Sequence, residues 1–153
     1  MAKTKKWEIK KLQKKQSFKR TSQIVLMNRL NTTIKVIKKY LSDSSVENLH
    51  SMRIAIRRLR YGMEIFLACF EKKYYLILYD EIVELQDTSG EVRDIDVLLE
   101  NINRFKTEKS INNYANIEKE ILLKKEVLGS LLELKLLEFV GSDFIKDFKK
   151  IFI

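Results

Sequence analysis

The 153-residue sequence contains no proline, only four glycines, one histidine and one cysteine. A many-stranded sheet needs tight turns rich in proline and glycine, so their scarcity points to an all-helical chain. The single cysteine, Cys69, excludes an intrachain disulfide. It stands among Phe66, Leu67 and Phe70, a setting expected to make it a buried structural thiol. A lone thiol also suits a reducing, cytoplasmic setting. No apolar run approaches the ~20 residues that cross a bilayer. The opening MAKTKKWEIKK has lysines but no apolar stretch behind them, unlike a secretory leader.

The same scarcity limits chemistry. One histidine and one cysteine leave no recognisable nucleophile–base set, and no glycine-rich phosphate loop is present. Carboxylates crowd one stretch, LQDTSGEVRDIDVLL (Leu85 to Leu99), where Asp87, Glu91, Asp94 and Asp96 invite comparison with a metal site. Without a second histidine they read as acids that favour the start of a helix. Arg93 and Asp94 are expected to bridge neighbouring helices. No catalytic residue, metal or cofactor is expected.

What the chain has in excess is positive charge. Thirty Lys and Arg residues against 21 Asp and Glu give a formal net charge of +9. Such a balance favours polyanionic partners, whether nucleic acid, phosphate polymers or an anionic membrane surface, without choosing among them.

Apolar residues recur at three- and four-residue steps over much of the chain, as amphipathic helices require. Ile24, Met27, Leu30, Ile34, Ile37 and Leu41 define a helix from about Phe18 to Leu41. A second is expected to start near Ser44 or Ser45 and run to about Phe70. KKYYLILYDEIVELQDTSG predicts a third, stopping at Gly90, and EVRDIDVLLENINRF a fourth. A polar link, TEKSINN, precedes a long helix from about Tyr114 to Phe139, and GSD separates it from a short terminal one. The expectation is one antiparallel bundle of five to six helices over residues 18–153. Residues 1–17, dominated by lysine, are expected to form a basic N-terminal arm, frayed or irregularly helical, with Trp7, Ile9 and Leu12 as candidates to pin it to the domain.

The second helix carries the only histidine and a concentration of arginine, HSMRIAIRRLRYGMEIF. At ~100° per residue, His50, Arg53, Arg57 and Arg60 share a stripe about 80° wide. Met52, Ile56, Leu59, Met63, Phe66 and Phe70 form the core face, and Arg58 falls well away from the stripe. Ile54, Tyr61 and Ile65 flank the arginines on the far side. Like charges one turn apart repel, and Glu64 relieves only the Arg60 end. Such a row is completed either by an anion or by acids from neighbouring helices. Guanidinium suits phosphate because its planar fork can donate two hydrogen bonds to one group.

Together, LHSMRIAIRRLRYGMEIF and SGEVRDIDVLLE resemble the CHAD (conserved histidine α-helical domain) family. Its pattern is an H-x-x-R-(V/I)-x-x-(R/K)-(R/K)-L-R helix followed by one opening G-x-x-R-D-x-D-V-L. The pattern falls here on His50, Arg53, Ile54, Arg57, Arg58, Leu59 and Arg60, then on Gly90, Arg93, Asp94, Asp96, Val97 and Leu98. The resemblance implies a helical bundle whose basic groove binds inorganic polyphosphate, often at polyphosphate granules. By the same resemblance Arg53, Arg57 and Arg60 would line the groove, with His50 beside them; Arg58 matches the motif but lies off their stripe. Lys35, Lys38 and Lys39 of the preceding helix are candidates to extend it. CHAD domains usually comprise two similar halves, each with an arginine helix, whereas this chain has one such helix and resembles one half. A homodimer that rebuilds the two-fold arrangement is therefore expected, with Ile54, Tyr61 and Ile65 as candidate contacts. The alternative to polyphosphate is RNA or DNA on the same basic surface, although the sequence carries no known nucleic-acid module and no aromatic stacking platform. An enzyme acting on phosphate chains and a ligand-free scaffold are the remaining classes.

Overall fold

A computed structural model describes Ile9, Leu12 and residues 15–109, 115–143, 145–146 and 149. Four α-helices account for nearly all of them: α1 Phe18–Ser42, α2 Val46–Phe66, α3 Lys72–Lys109 and α4 Ala115–Gly141. A single 3₁₀ turn, Leu67–Cys69, links α2 to α3. No strand occurs among the described residues.

Each helix runs antiparallel to the one before it. The short break between α1 and α2 is organised by Asp43, whose carboxylate accepts from the Ser45 backbone N–H and from Asn48 Nδ2. The chain therefore reverses within three residues, and α2 returns along α1. Thr33 Oγ1 donates to the Ala55 carbonyl at 3.3 Å, and Leu26 lies against Gly62. On the other side of α2, Tyr75 Oη donates to the Met63 carbonyl at 2.8 Å near one end of α3, while Gly90 meets Arg53 further along. Ion pairs Glu84–Lys135, Asp96–Lys125 and Lys106–Glu118 fix the register of α4 on α3. α4 also packs on α1, which closes the bundle around Leu26, Leu30, Ile56, Leu59, Leu78 and Leu132, all fully buried.

The helix count corrects the sequence reading at one clear point. Gly90 ends nothing: α3 runs straight through it to Lys109. The polar cluster before it folds its hydroxyls back on its own helix, Thr88 Oγ1 to the Glu84 carbonyl at 2.9 Å and Ser89 Oγ to the Gln86 carbonyl at 2.9 Å. Ser89 is fully buried and Thr88 nearly so, so these polar residues face inward and are satisfied without a turn. Two expected helices are thus one. Cys69 is half-buried rather than buried, packed against the edge of the core. The expected terminal helix and basic arm fall largely outside the described residues, and so do residues 110–113 of the polar link.

Candidate anion-binding surface

α2 is held on both sides, by α1 and by α3, and this sorts its basic residues into three groups. His50 and Arg57 stand exposed on its outer crest, with Ile54 half-buried, Tyr61 49% exposed and Ile65 67% exposed along the same crest. Arg53 and Arg60 turn toward α3, and Arg58 toward α1.

Arg53 is the residue that the packing constrains most. It is partly buried between α2 and α3, and its Nε is buried with no hydrogen-bond partner among the described residues. Its Nη2 lies 3.8 Å from where a β-carbon on Gly90 would stand. Burial pushes the Arg53 guanidinium below its ordinary range; Arg57 and Arg93 push it further, and Asp94 opposes them. Arg57 and Arg93 therefore lie within electrostatic range of Arg53 where α2 crosses α3; Asp94 forms no ion pair with any of the three among the described residues, while Arg93 is paired with Glu100 of its own helix. Like-charged groups held together while partly desolvated raise the energy of the fold, and a bound anion relieves both costs.

Gly90 faces Arg53 across the α2–α3 seam, with neither a close approach nor a special backbone angle. Alanine there would add only an ordinary van der Waals contact to Arg53. Gly90→Ala is therefore expected to stabilise the helix by about 0.5–1 kcal/mol. Gly90→Leu should displace the guanidinium and weaken anion binding, with the fold retained. Thermal melts and polyphosphate titrations of the two variants check this.

Arg60 is differently placed. Its Nε donates to Glu64 Oε1 at 2.9 Å, and Tyr79 Oη donates to the same oxygen at 2.8 Å. The hydrogen bond to Glu64 raises the Arg60 pKa, while Arg60 and then Tyr79 hold the Glu64 carboxyl below the usual range. This exposed pair is worth ~0–1 kcal/mol and keeps Arg60 partly neutralised. Its contribution is present above the ordinary carboxylate pKa and is lost as pH falls through the depressed one.

Arg58 faces a residue that the sequence reading did not single out. Arg29 of α1 is half-buried, and its guanidinium is pushed below its ordinary range by burial first and by Arg58 second. The two arginines form a like-charged pair across the α1–α2 seam. The signal for Arg29 was its position next to Leu26, Leu30 and Thr33 on the buried side of α1. Only the antiparallel register shows that it meets Arg58. Lys35, Lys38 and Lys39 are all exposed. With Thr33 directed at α2, each of them lies roughly 120–160° round α1 from that direction. They extend a basic surface on the outside of α1, turned away from Arg53.

The carboxylates of the second motif diverge. Asp87, Glu91 and Asp94 are exposed, while Asp96 is 6% exposed and points at α4, where Lys125 Nζ lies 2.7 Å from its Oδ1. Arg93 reaches Glu100 of its own helix at 3.1 Å, so the expected bridge to a neighbouring helix is instead an intrahelical one. No group of three or more His, Cys, Asp or Glu residues able to hold a metal occurs among the described residues. No described helix is long and apolar enough to cross a membrane.

Comparison with known families adds one finding: the model of the CHAD domain matches residues 2–115 of the chain, a span that includes α1, α2 and α3. No curated protein and no solved structure matches it.

Proposed function

The chain belongs to the CHAD domain family, and on that footing we propose that it binds inorganic polyphosphate, without catalysis, through the basic face of α2. CHAD domains bind polyphosphate. The observation that carries the reading here is the partly desolvated Arg53, with an unpartnered Nε, held beside Arg57 and Arg93. Arg53 and Arg57 are the principal ligands, His50 and Arg60 lie at either end of the row, and Arg58 with Arg29 supplies a second contact across the α1–α2 seam. Lys35, Lys38, Lys39 and the lysines of the arm at 1–17 add long-range attraction to the domain at 18–153. Two chains together supply the full groove, and the protein works in the cytoplasm at polyphosphate granules.

Fluorescence anisotropy with labelled long-chain polyphosphate tests this. Binding through several phosphate contacts should weaken steeply as salt rises, because neutralising a polyanion releases its counterions. Absence of binding at low salt overturns the reading. One substitution should strengthen binding: Glu64→Gln removes a negative charge from Arg60 and leaves Tyr79 an acceptor. An affinity gain of up to about five-fold is expected, the equivalent of the ~1 kcal/mol ceiling for an exposed pair.

RNA or DNA is the second reading, favoured only by the net charge of +9. Tyr61 is the one exposed ring on the crest of α2, and Arg60 already lies 5.4 Å from its centroid, which leaves little of the stacking platform that single-stranded nucleic acid uses.

A further inference from the structure

The antiparallel register of α1 and α2 sets Arg29 against Arg58. Thr33 bonds the Ala55 carbonyl at one point of the seam and Leu26 meets Gly62 at another, and the two arginines stand between these anchors. At ~100° per residue each is turned about 40–60° from its anchors, both toward the outer edge of the seam and away from the core. Arg29 is half-buried there and Arg58 exposed, and neither forms an ion pair among the described residues. No acid is placed to neutralise them. Along α1 stand Lys19, Arg20, Arg29, Lys35, Lys38 and Lys39, and no Asp or Glu. The acids of α2 are Glu47, ~16 Å from Arg58 along the axis, and Glu64, which turns to Tyr79 on the α3 side. Two guanidinium groups are thus held together at a partly desolvated seam, a cost that a shared anion relieves.

We infer that Arg29 and Arg58 form a second phosphate site, and that one polyphosphate chain crosses α2 from Arg53 and Arg57 to reach it. From Arg53 to Arg58 is about 140° round the helix and five residues along it, roughly 15 Å over the surface, and Arg57 lies on the way. The opposite direction repels an anion, because Asp94, beside Arg53, shares an exposed stripe of α3 with Asp87 and Glu91. The inference rests on the reading of α2 as a polyphosphate surface and adds a length requirement to it. A chain that spans both sites binds the second intramolecularly and gains avidity. A tripolyphosphate ion is too short to span them and fills each site separately.

Calorimetry with tripolyphosphate and anisotropy with long-chain polyphosphate test this on the full chain. Wild type should take two tripolyphosphate ions, and Arg29→Gln/Arg58→Gln only one, with unchanged far-ultraviolet circular dichroism. The same variant should bind the long chain about ten-fold or more weakly, since it loses the second attachment. Lys119→Gln/Lys124→Gln removes equal charge from exposed positions on α4, and should change long-chain affinity by less than about two-fold, because distant surface charges are screened. A single tripolyphosphate on the wild type overturns the inference, as does a loss on α4 equal to that at the seam. A wild type that binds neither ligand removes the functional reading and this inference with it. Binding of both, unchanged in Arg29→Gln/Arg58→Gln, removes this inference alone.

Discussion

Replacing Arg53 and Arg57 together by alanine is expected to lower the affinity for long-chain polyphosphate by about 100-fold or more, with no loss of stability. Hydrogen bonds to a charged partner contribute ~1.5–3 kcal/mol each, and every ~1.4 kcal/mol is a factor of ten. The stability half of the expectation follows from the cost of the arrangement. Arg53 is destabilised by burial and by Arg57, and its Nε has no partner among the described residues. Removing the pair therefore removes repulsion rather than support. A purely structural network would behave in the opposite way, losing stability with its arginines. Adding Arg60→Ala should change the affinity much less, because Glu64 already holds that guanidinium. Anisotropy together with thermal melts measures both halves, and a folded double variant with wild-type affinity would place the site elsewhere.

Gly62→Leu is expected to have the largest effect on folding, a loss of about 3 kcal/mol, which for a chain of this size lowers the melting temperature by about 6–12 °C. A β-carbon at Gly62 would stand only 3.1 Å from Leu26 Cδ2, and Leu26 is fully buried with nowhere to retreat. A leucine there must push α1 and α2 apart. That movement would also separate Arg29 from Arg58, so the anion surface should suffer along with the core. Gly62→Ala is a milder case, since the helix gain of alanine opposes a contact that Leu26 must yield to by a few tenths of an ångström. Calorimetric or circular-dichroism melts of both variants, set beside Gly90→Ala, test whether α2 is seated by close approach at Gly62 and not at Gly90.

The two glycines show what the sequence could and could not reveal. Both sit inside long amphipathic runs, yet Gly90 read as a helix stop because glycine, serine and aspartate commonly mark one. Burial of Thr88 and Ser89 within the bundle overrides that local preference, and only the tertiary packing supplies it. The core face of α2 was legible from period alone: Met52, Ile56, Leu59, Met63 and Phe66 are all buried. Phe70 was placed with them but lies beyond the helix end, after the 3₁₀ turn. The Arg60–Glu64 pair was legible as a four-residue spacing, whereas the Tyr79 hydroxyl that completes it comes from α3 and depends on register. The same holds for Arg29 beside Arg58, and for Gly90 beside Arg53. Contacts within one helix follow from its pitch; contacts between helices follow from where each pair of ridges settles, and no single-helix wheel contains that.

The central claim is that α2 presents its arginines to inorganic polyphosphate. Competition tests it most directly: labelled long-chain polyphosphate bound to the wild-type chain, displaced by unlabelled polyphosphate or by RNA of matched charge. Polyphosphate should displace at concentrations at least ten-fold lower than the RNA, and the difference should vanish in Arg53→Ala/Arg57→Ala. Equal displacement by both polymers, with the double variant indistinguishable from wild type, would contradict it and leave a generic basic surface in its place.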